Sequence, residues 1–343
     1  MKRILIALLI LAATLTGCSS AAVAADARPQ YTATFLDLFD TVTTIIGKAE
    51  SDAAFRETTK AIHDDLLRYH RLFDIYNDYD GVNNIKTIND NAGVSSVEVD
   101  SAIIQLLLEC KSYYELTDGK VNVAMGSVLQ LWHKARNNGI NDPQNAVLPD
   151  MDALAEAAKH CDFENVVIDE DKSTVFITDP ELRLDVGAIA KGWATQKAAE
   201  NAPTGMLISV GGNVCATGPK LSDGTPWVIG IQDPNTADRN LHTVYLTNGA
   251  VVTSGDYQRT YVVDGKHYHH IIDPETLMPS TCWRSVSIVC GDSGLADALS
   301  TALFLMDREA GVALAEKCGV EVLWVDADGQ EFMTDRFQDI LRT

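Results

Sequence analysis

Two dipeptides, Asn248-Gly249 and Asp264-Gly265, limit the possible folds more than any other feature of the chain. The first stands between "HTVYL" and "AVVTSG", the second between "RTYVV" and "KHYHHII". Both dipeptides accept the positive φ values of a type I′ turn, so each predicts a two-residue hairpin and an antiparallel strand pair. A further hairpin is expected in "VVIDEDKSTVFIT", and "MLISV" and "WVIGIQD" read as short buried strands. Helical periodicity breaks into this pattern at irregular intervals. Behind an N-capping Ser51, the residues Phe55, Ile62, Leu66, Tyr69 and Phe73 fall on one stripe. "SAIIQLLLECKSYYELTDG" predicts a second helix closed by Gly119, and "MDALAEAAKHC" a third introduced by Pro149 and Asp150. Tight hairpins with scattered helices define an α+β class and argue against a doubly wound parallel sheet. "SVGGNVCATG" has glycines after a strand but lacks the G-x-G-x-x-G spacing.

The N-terminus carries "MKR", an apolar stretch Ile4 to Ala13, and "LTGC" at Leu15 to Cys18, the order of regions in a secretory signal. The apolar stretch is shorter than the ~20 residues a permanent span requires. Gly17 before Cys18 resembles the lipobox of bacterial lipoproteins, in which the cysteine is acylated and becomes the new N-terminus; a plain secretory signal is the alternative. The expected organisation is a signal peptide over 1–17, a lipidated Cys18, a flexible tether over 18–30 and one domain over 31–343. Such a protein is exported and lipid-anchored on the extracytoplasmic side of a membrane.

Charge excludes some partners. The chain holds 27 basic and 48 acidic residues, net −21, and loss of residues 1–17 removes Lys2 and Arg3 and no acid, leaving −23. A surface of this sign repels nucleic acid and anionic headgroups, so an anionic ligand needs a local cation. The six cysteines after Cys18 contain no C-x-x-C pair, which leaves zinc and redox motifs unsupported and favours buried free thiols over crosslinks.

Three constellations can carry chemistry. In "GLADALSTALFLM", Asp297 and Thr301 share a helix face opposite Leu295, Leu299 and Leu303, with Phe304 on their own side. Residues at i and i+4 stand ~5–6 Å apart, so this carboxylate and hydroxyl either hold one hard cation or form an amphipathic surface pair. In "RLDVGAIAKGWATQKAAE", a strand leads through Asp185 and Gly187 into a helix with Lys191 in its first turn. That is either a phosphate-binding helix N-terminus or an ordinary turn with a solvent lysine. In "HYHHIIDPETLMPS", a hairpin from Tyr261 to Ile272 would place His267 and His269 on one face and Tyr268 and His270 on the other. A histidine there is a candidate acid, base or phosphate contact, or else an edge-strand surface group. No third ligand at a zinc spacing is present.

"DVGAIAKGWA" resembles the D-[LV]-G-[GA]-I-A-K-G-[YW] signature of the ApbE family, the FAD:protein FMN transferases. "NVAMGSVLQLW", "SVGGNV", "VVTSGDYQR", "HHIIDPETLMP" and "LADALSTALF" resemble further blocks of that family in the same order, over nearly the whole chain from Phe35. The resemblance implies a T-fold-like arrangement of antiparallel sheets with packed helices. It also implies an enzyme that splits FAD, releases AMP and joins FMN by a phosphoester to a serine or threonine of an acceptor protein. By the same resemblance, Asp297 and Thr301 supply side chains to a Mg²⁺ ion and Ala188 its backbone carbonyl. Asp185 and Lys191 match FAD contacts, Ala124, Met125, Gly126 and Tyr76 hold the flavin or adenine, and His270 lies near the transferred phosphate. Two departures stand out: the family's "MGT" is "FDT" here, putting Phe39 at a flavin contact, and "DPxTG" is "DPETL", so that Leu277 is expected to avoid the left-handed region glycine would occupy.

The acceptor hydroxyl then needs a base, for which His270 and Asp256 are the candidates. FAD pyrophosphatase activity, with water replacing the acceptor, is the nearest alternative. A non-enzymatic flavin-binding lipoprotein and a ligand-free scaffold are the others. The resemblance points to acceptors such as flavin-bearing subunits of membrane electron-transfer complexes or secreted flavoproteins.

Overall fold

The computed structural model describes residues 27–342, so the predicted signal peptide and Cys18 lie outside the described residues. In chain order, β1 (Gln30–Leu38) and β2 (Thr41–Lys48) precede α1 (Asp52–Phe73), α2 (Ile85–Asp90), β3 (Val97–Glu98), α3 (Ser101–Leu116), α4 (Gly126–Asn141) and α5 (Met151–Ala157). Next come β4 (Val166–Asp169), β5 (Thr174–Ile177), α6 (Ala190–Asn201), β6 (Met206–Val210), β7 (Asn213–Ala216), β8 (Trp227–Asp233), β9 (Thr236–Leu246) and β10 (Gly249–Gly255). The chain closes with β11 (Tyr261–Val263), β12 (Lys266–Tyr268), β13 (Ser285–Cys290), α7 (Ser293–Phe304), α8 (Arg308–Cys318), β14 (Glu321–Val325), β15 (Glu331–Met333) and α9 (Phe337–Ile340).

One antiparallel sheet of order β1-β2-β6-β7-β10-β13-β14-β15 organises the molecule, confirming the α+β class. Side-chain alternation sends Ala250, Val252, Val322 and Trp324 to one face, against α1, α3, α6 and α7, and Val251 and Leu323 to the other. Both faces are therefore buried. The helix stripe read from sequence is the buried side of α1, whose Ser51 hydroxyl accepts the Ala54 N–H at 3.2 Å. Helix α7 lies in the core, with Phe304 fully buried.

The hairpin expected at Asn248-Gly249 does not form. Strand β10 has both edges occupied, by β7 and β13, and β9 pairs instead with β8, laying Val244 and Leu246 over the second face of the main sheet. Gly249 is still required, because a Cβ there would lie 2.4 Å from the Cys290 carbonyl oxygen. The Asp264-Gly265 hairpin does form, with φ of 50° and 78°, but its strands stop at Tyr268. His269 and His270 follow as irregular chain, so His267 is exposed while His269 is buried, and the two do not share a face. Leu277 does not avoid the left-handed region: its φ is 58°. Its N–H donates to the Asp273 carbonyl at 2.8 Å and its carbonyl accepts from the Trp132 indole at 3.0 Å, and these bonds hold the strained conformation.

Candidate active site

Three turns meet at one end of the main sheet. The β1–β2 turn, Phe39-Asp40, has φ of 53° and 52°; the β6–β7 turn, Gly211-Gly212, has 58° and 92°; and Thr253 to Gly255 end β10. Residues of all three line a cavity of about 980 Å³, closed on other sides by α4, the turn into α6, and α7. Its volume is at the large end of the ~300–1,000 Å³ typical of small-molecule sites.

Phe39, Tyr76, Met125, Asp185, Ala188, Lys191, His270, Asp297 and Thr301 all line this cavity, although they come from distant parts of the sequence. Ala124 and Gly126 lie behind the wall, both buried; a Cβ on Gly126 would sit 2.4 Å from the Arg183 carbonyl oxygen. Asp256 is also outside the lining, its Oδ2 paired with Arg284 Nε at 2.7 Å. Burial still raises the Asp256 carboxyl above the usual range, against the pull of Arg284.

Helices α6 and α7 cross at the metal candidates. Asp297, only 4 % exposed, accepts the Gly192 N–H at Oδ2 (2.8 Å) and faces Lys191 Nζ at 3.4 Å. The crossing is close because residue 192 has no side chain: a Cβ there would lie 2.3 Å from the Ser293 carbonyl oxygen. Thr301 Oγ1 has only a long, 3.5 Å contact to the Asp297 carbonyl, which leaves the hydroxyl able to turn to a better partner. A buried carboxylate, a loosely held hydroxyl and the carbonyl-bearing turn at Ala188 are hard oxygen donors that fit a magnesium-like ion. Among the described residues no three His, Cys, Asp or Glu side chains gather as a metal cluster.

Asp185 sets the neighbouring turn, its Oδ1 accepting the Gly187 N–H at 2.9 Å. Its Oδ2 lies 3.9 Å from His133 Nε2, while His133 Nδ1 is 2.8 Å from the Tyr76 hydroxyl. Tyr76 is 58 % exposed overall, yet its hydroxyl points inward, and desolvation there together with the Asp185 charge pushes the phenol up to about 12. His270 Nδ1 is buried without a partner. Burial first, then the charges of Arg259, His269, Lys191 and Arg136, bring His270 down to about 3, so the ring is neutral near pH 7. His269 steadies this segment: its Nε2 donates to the Ser280 carbonyl at 2.7 Å and its Nδ1 accepts the Ile271 N–H at 3.2 Å.

Sequence reasoning passed over His133, Arg136 and Arg259, which also line the cavity. A signal was present in α4, where Leu129, His133, Arg136 and Ile140 recur at helical spacing and form one face toward the cavity. Arg259 is the last residue of the block "VVTSGDYQR", in the loop after β10, with φ of 47°.

A deep cavity on an antiparallel α+β frame, with aromatic and apolar walls, cationic side chains and a hard-oxygen corner, defines a site for a large, phosphate-bearing ligand. The ApbE family model matches residues 39–324, and the chain belongs to the ApbE family. It is 36 % identical over 263 residues to an FAD:protein FMN transferase of Treponema pallidum, covering 71 % of each chain. It resembles the solved ApbE protein of Thermotoga maritima with a TM-score of 0.81 and 32 % identity, over 92 % of this chain and 100 % of that one. It resembles the flavin transferase ApbE of Vibrio cholerae with a TM-score of 0.75 and 25 % identity, over 92 % and 100 %.

Proposed function

We propose that this protein transfers FMN from FAD to a serine or threonine hydroxyl of an acceptor protein, with Mg²⁺ in the cavity and AMP as the product released. The observation that carries the reading is the α6–α7 crossing, where Asp297, Thr301, Lys191 and the Ala188 turn face one space beside His270. Relatives named FAD:protein FMN transferase support it.

In this reading Asp297, Thr301 and the Ala188 carbonyl hold the ion, which when bound withdraws charge from the diphosphate and stabilises departing AMP. Lys191, on the first turn of α6, adds positive charge to the same corner. The acceptor oxygen forms a bond to the FMN phosphorus, the bridging P–O bond breaks, and its electron pair leaves with AMP. Of the two candidate bases, His270 is the better placed, because it lines the cavity while Asp256 lies outside the lining and is held by Arg284. Burial is the first cause that lowers His270; the cations that add to it are those an anionic diphosphate would neutralise, so substrate binding offsets that second part where the proton is released. Tyr76, Phe39 and Met125 supply apolar and aromatic surface for the ring systems. Cys18 anchors the exported chain to the membrane, next to acceptors such as electron-transfer subunits.

The decisive experiment incubates the Asp297→Ala variant with FAD, Mg²⁺ and an acceptor protein, and follows the FMN adduct by mass spectrometry. A fall of roughly 10²-fold or more is expected from losing the ion's share of charge stabilisation. Transfer at the wild-type rate would sink the magnesium assignment, and free FMN without adduct in the wild type would mark a hydrolase.

A further inference from the structure

We infer that Arg136 and Arg259 form an oxyanion clamp for one phosphate of the bound dinucleotide, a second cationic pole separate from the Asp297–Thr301 corner. The clamp rests on the FAD reading of the cavity.

The chain is acidic, and Arg56, Arg68, Arg239, Arg284 and Arg336 each meet a carboxylate, while Arg183 bonds backbone carbonyls and Arg71 and Arg308 stack on aromatic rings. Arg136 and Arg259 line the cavity, and among the described residues neither guanidinium makes a hydrogen bond or an ion pair. Their mutual repulsion is large enough to register: burial first, then the Arg259 charge, lowers the Arg136 guanidinium below its ordinary value. Arg259 is held there by a left-handed backbone, φ 47°, which an L side chain rarely adopts. A fold that places two unpaired guanidiniums together, one on strained backbone, is arranged for an anion that neither has yet met. The planar guanidinium donates in pairs and matches phosphate oxygens bidentately.

Position fixes which anion. His270 feels Arg259, Arg136 and Lys191 together, whereas Lys191 stands against Asp297, and Arg136 is close to Tyr76 and Asp185. His270 thus shares the cavity with all three cations. A diphosphate ester presents two anionic groups in series, one for each pole, with the bond to be broken beside the imidazole.

The test measures binding of FAD, FMN and AMP, each with Mg²⁺, to the mature wild-type chain and to Arg136→Gln, Arg259→Gln and the double variant, by calorimetry. The double variant is expected to bind FAD at least tenfold more weakly, and one of FMN and AMP, the half whose phosphate the clamp holds, to weaken in parallel, with Arg259→Lys recovering part of the loss. Arg259 is exposed, so its single variant keeps the experiment meaningful if Arg136→Gln misfolds. Unchanged affinity for all three ligands overturns the clamp, and if the KM for the acceptor protein then rises, the pair serves an acceptor carboxylate instead. A wild-type chain that binds none of the three overturns the FAD reading itself, and the clamp with it.

Discussion

Gly192→Ala probes the α6–α7 crossing directly. The added methyl carbon would lie 2.3 Å from the Ser293 carbonyl oxygen, 2.4 Å from Asp297 Cβ and 3.1 Å from Asp297 Cγ, so the helices must separate or Asp297 must swing away. Such overpacking against backbone costs about 1–3 kcal/mol. Separation also breaks the 2.8 Å bond from Gly192 N–H to the Asp297 carboxylate, and a hydrogen bond to a charged group contributes about 1.5–3 kcal/mol. Alanine's better helix propensity returns about 1 kcal/mol. The net loss is about 2–5 kcal/mol, a melting-point fall of roughly 4–15 °C. Gly291→Ala is the matched control, since nothing lies within 4 Å of its Cβ position. Thermal melts with and without Mg²⁺ and FAD should show Gly192→Ala both less stable and deaf to the ligand pair, while Gly291→Ala resembles the wild type. If Gly192→Ala melts with the control and keeps the ligand-dependent rise, the crossing does not set the site and the metal assignment loses its structural basis.

His270 gives a pH prediction. Its folded pKa, about 3, lies below the ordinary histidine value of 6.5, so the fold favours the neutral ring. The stability this contributes is complete above the ordinary value and is lost as pH falls from 6.5 toward 3. In urea titrations at pH 7 and pH 4.5, His270→Asn should lose less stability between the two than the wild type; equal losses would show that His270 is not the group responding. The cysteines give a simpler test. Burial raises the Cys110, Cys161, Cys215, Cys290 and Cys318 thiols while Cys282 is exposed, so a chain starting at Tyr31 should show one fast equivalent with a thiol reagent, absent in Cys282→Ser. Two fast equivalents would contradict the packing around the others.

Much of this was legible in the sequence because local rules decided it. The α1 stripe, its Ser51 cap and the Asp264-Gly265 turn involve residues a few positions apart, and propensity and geometry agree there. The metal candidates were legible too, since i and i+4 on a helix are neighbours whatever the rest of the chain does. What failed depended on partners far away in sequence. Asn248-Gly249 has ideal hairpin chemistry, but β7 and β13 had already claimed both edges of β10. Leu277 bends into the left-handed region because a tryptophan 145 residues away holds its carbonyl. Arg136 shares a helical face with Leu129, His133 and Ile140, but that this face and the Arg259 loop meet in one cavity depends on elements far apart in sequence.

Three of the seven described non-glycine residues with positive φ stand where the cavity opens. Phe39, Asp40 and Arg259 all have φ near 50° and all line it. Each such residue costs about 1–2 kcal/mol, which Asn-Gly at 39–40 would relieve. The turn keeps its aromatic, and the Phe39 N–H donates to His70 Nδ1 at 3.1 Å with the two rings edge to face at 5.5 Å. Those contacts fix the backbone that β2 and the Gly211 turn pack beneath; a Cβ on Gly211 would meet Thr41 Oγ1 at 2.7 Å. These contacts hold the rim of the cavity in one conformation, and a rim formed in advance lowers the ordering cost of binding a dinucleotide. The strained positions are best understood as the cost of a pre-formed site, and the core beneath them, buried on both faces of the sheet, is what makes that cost sustainable.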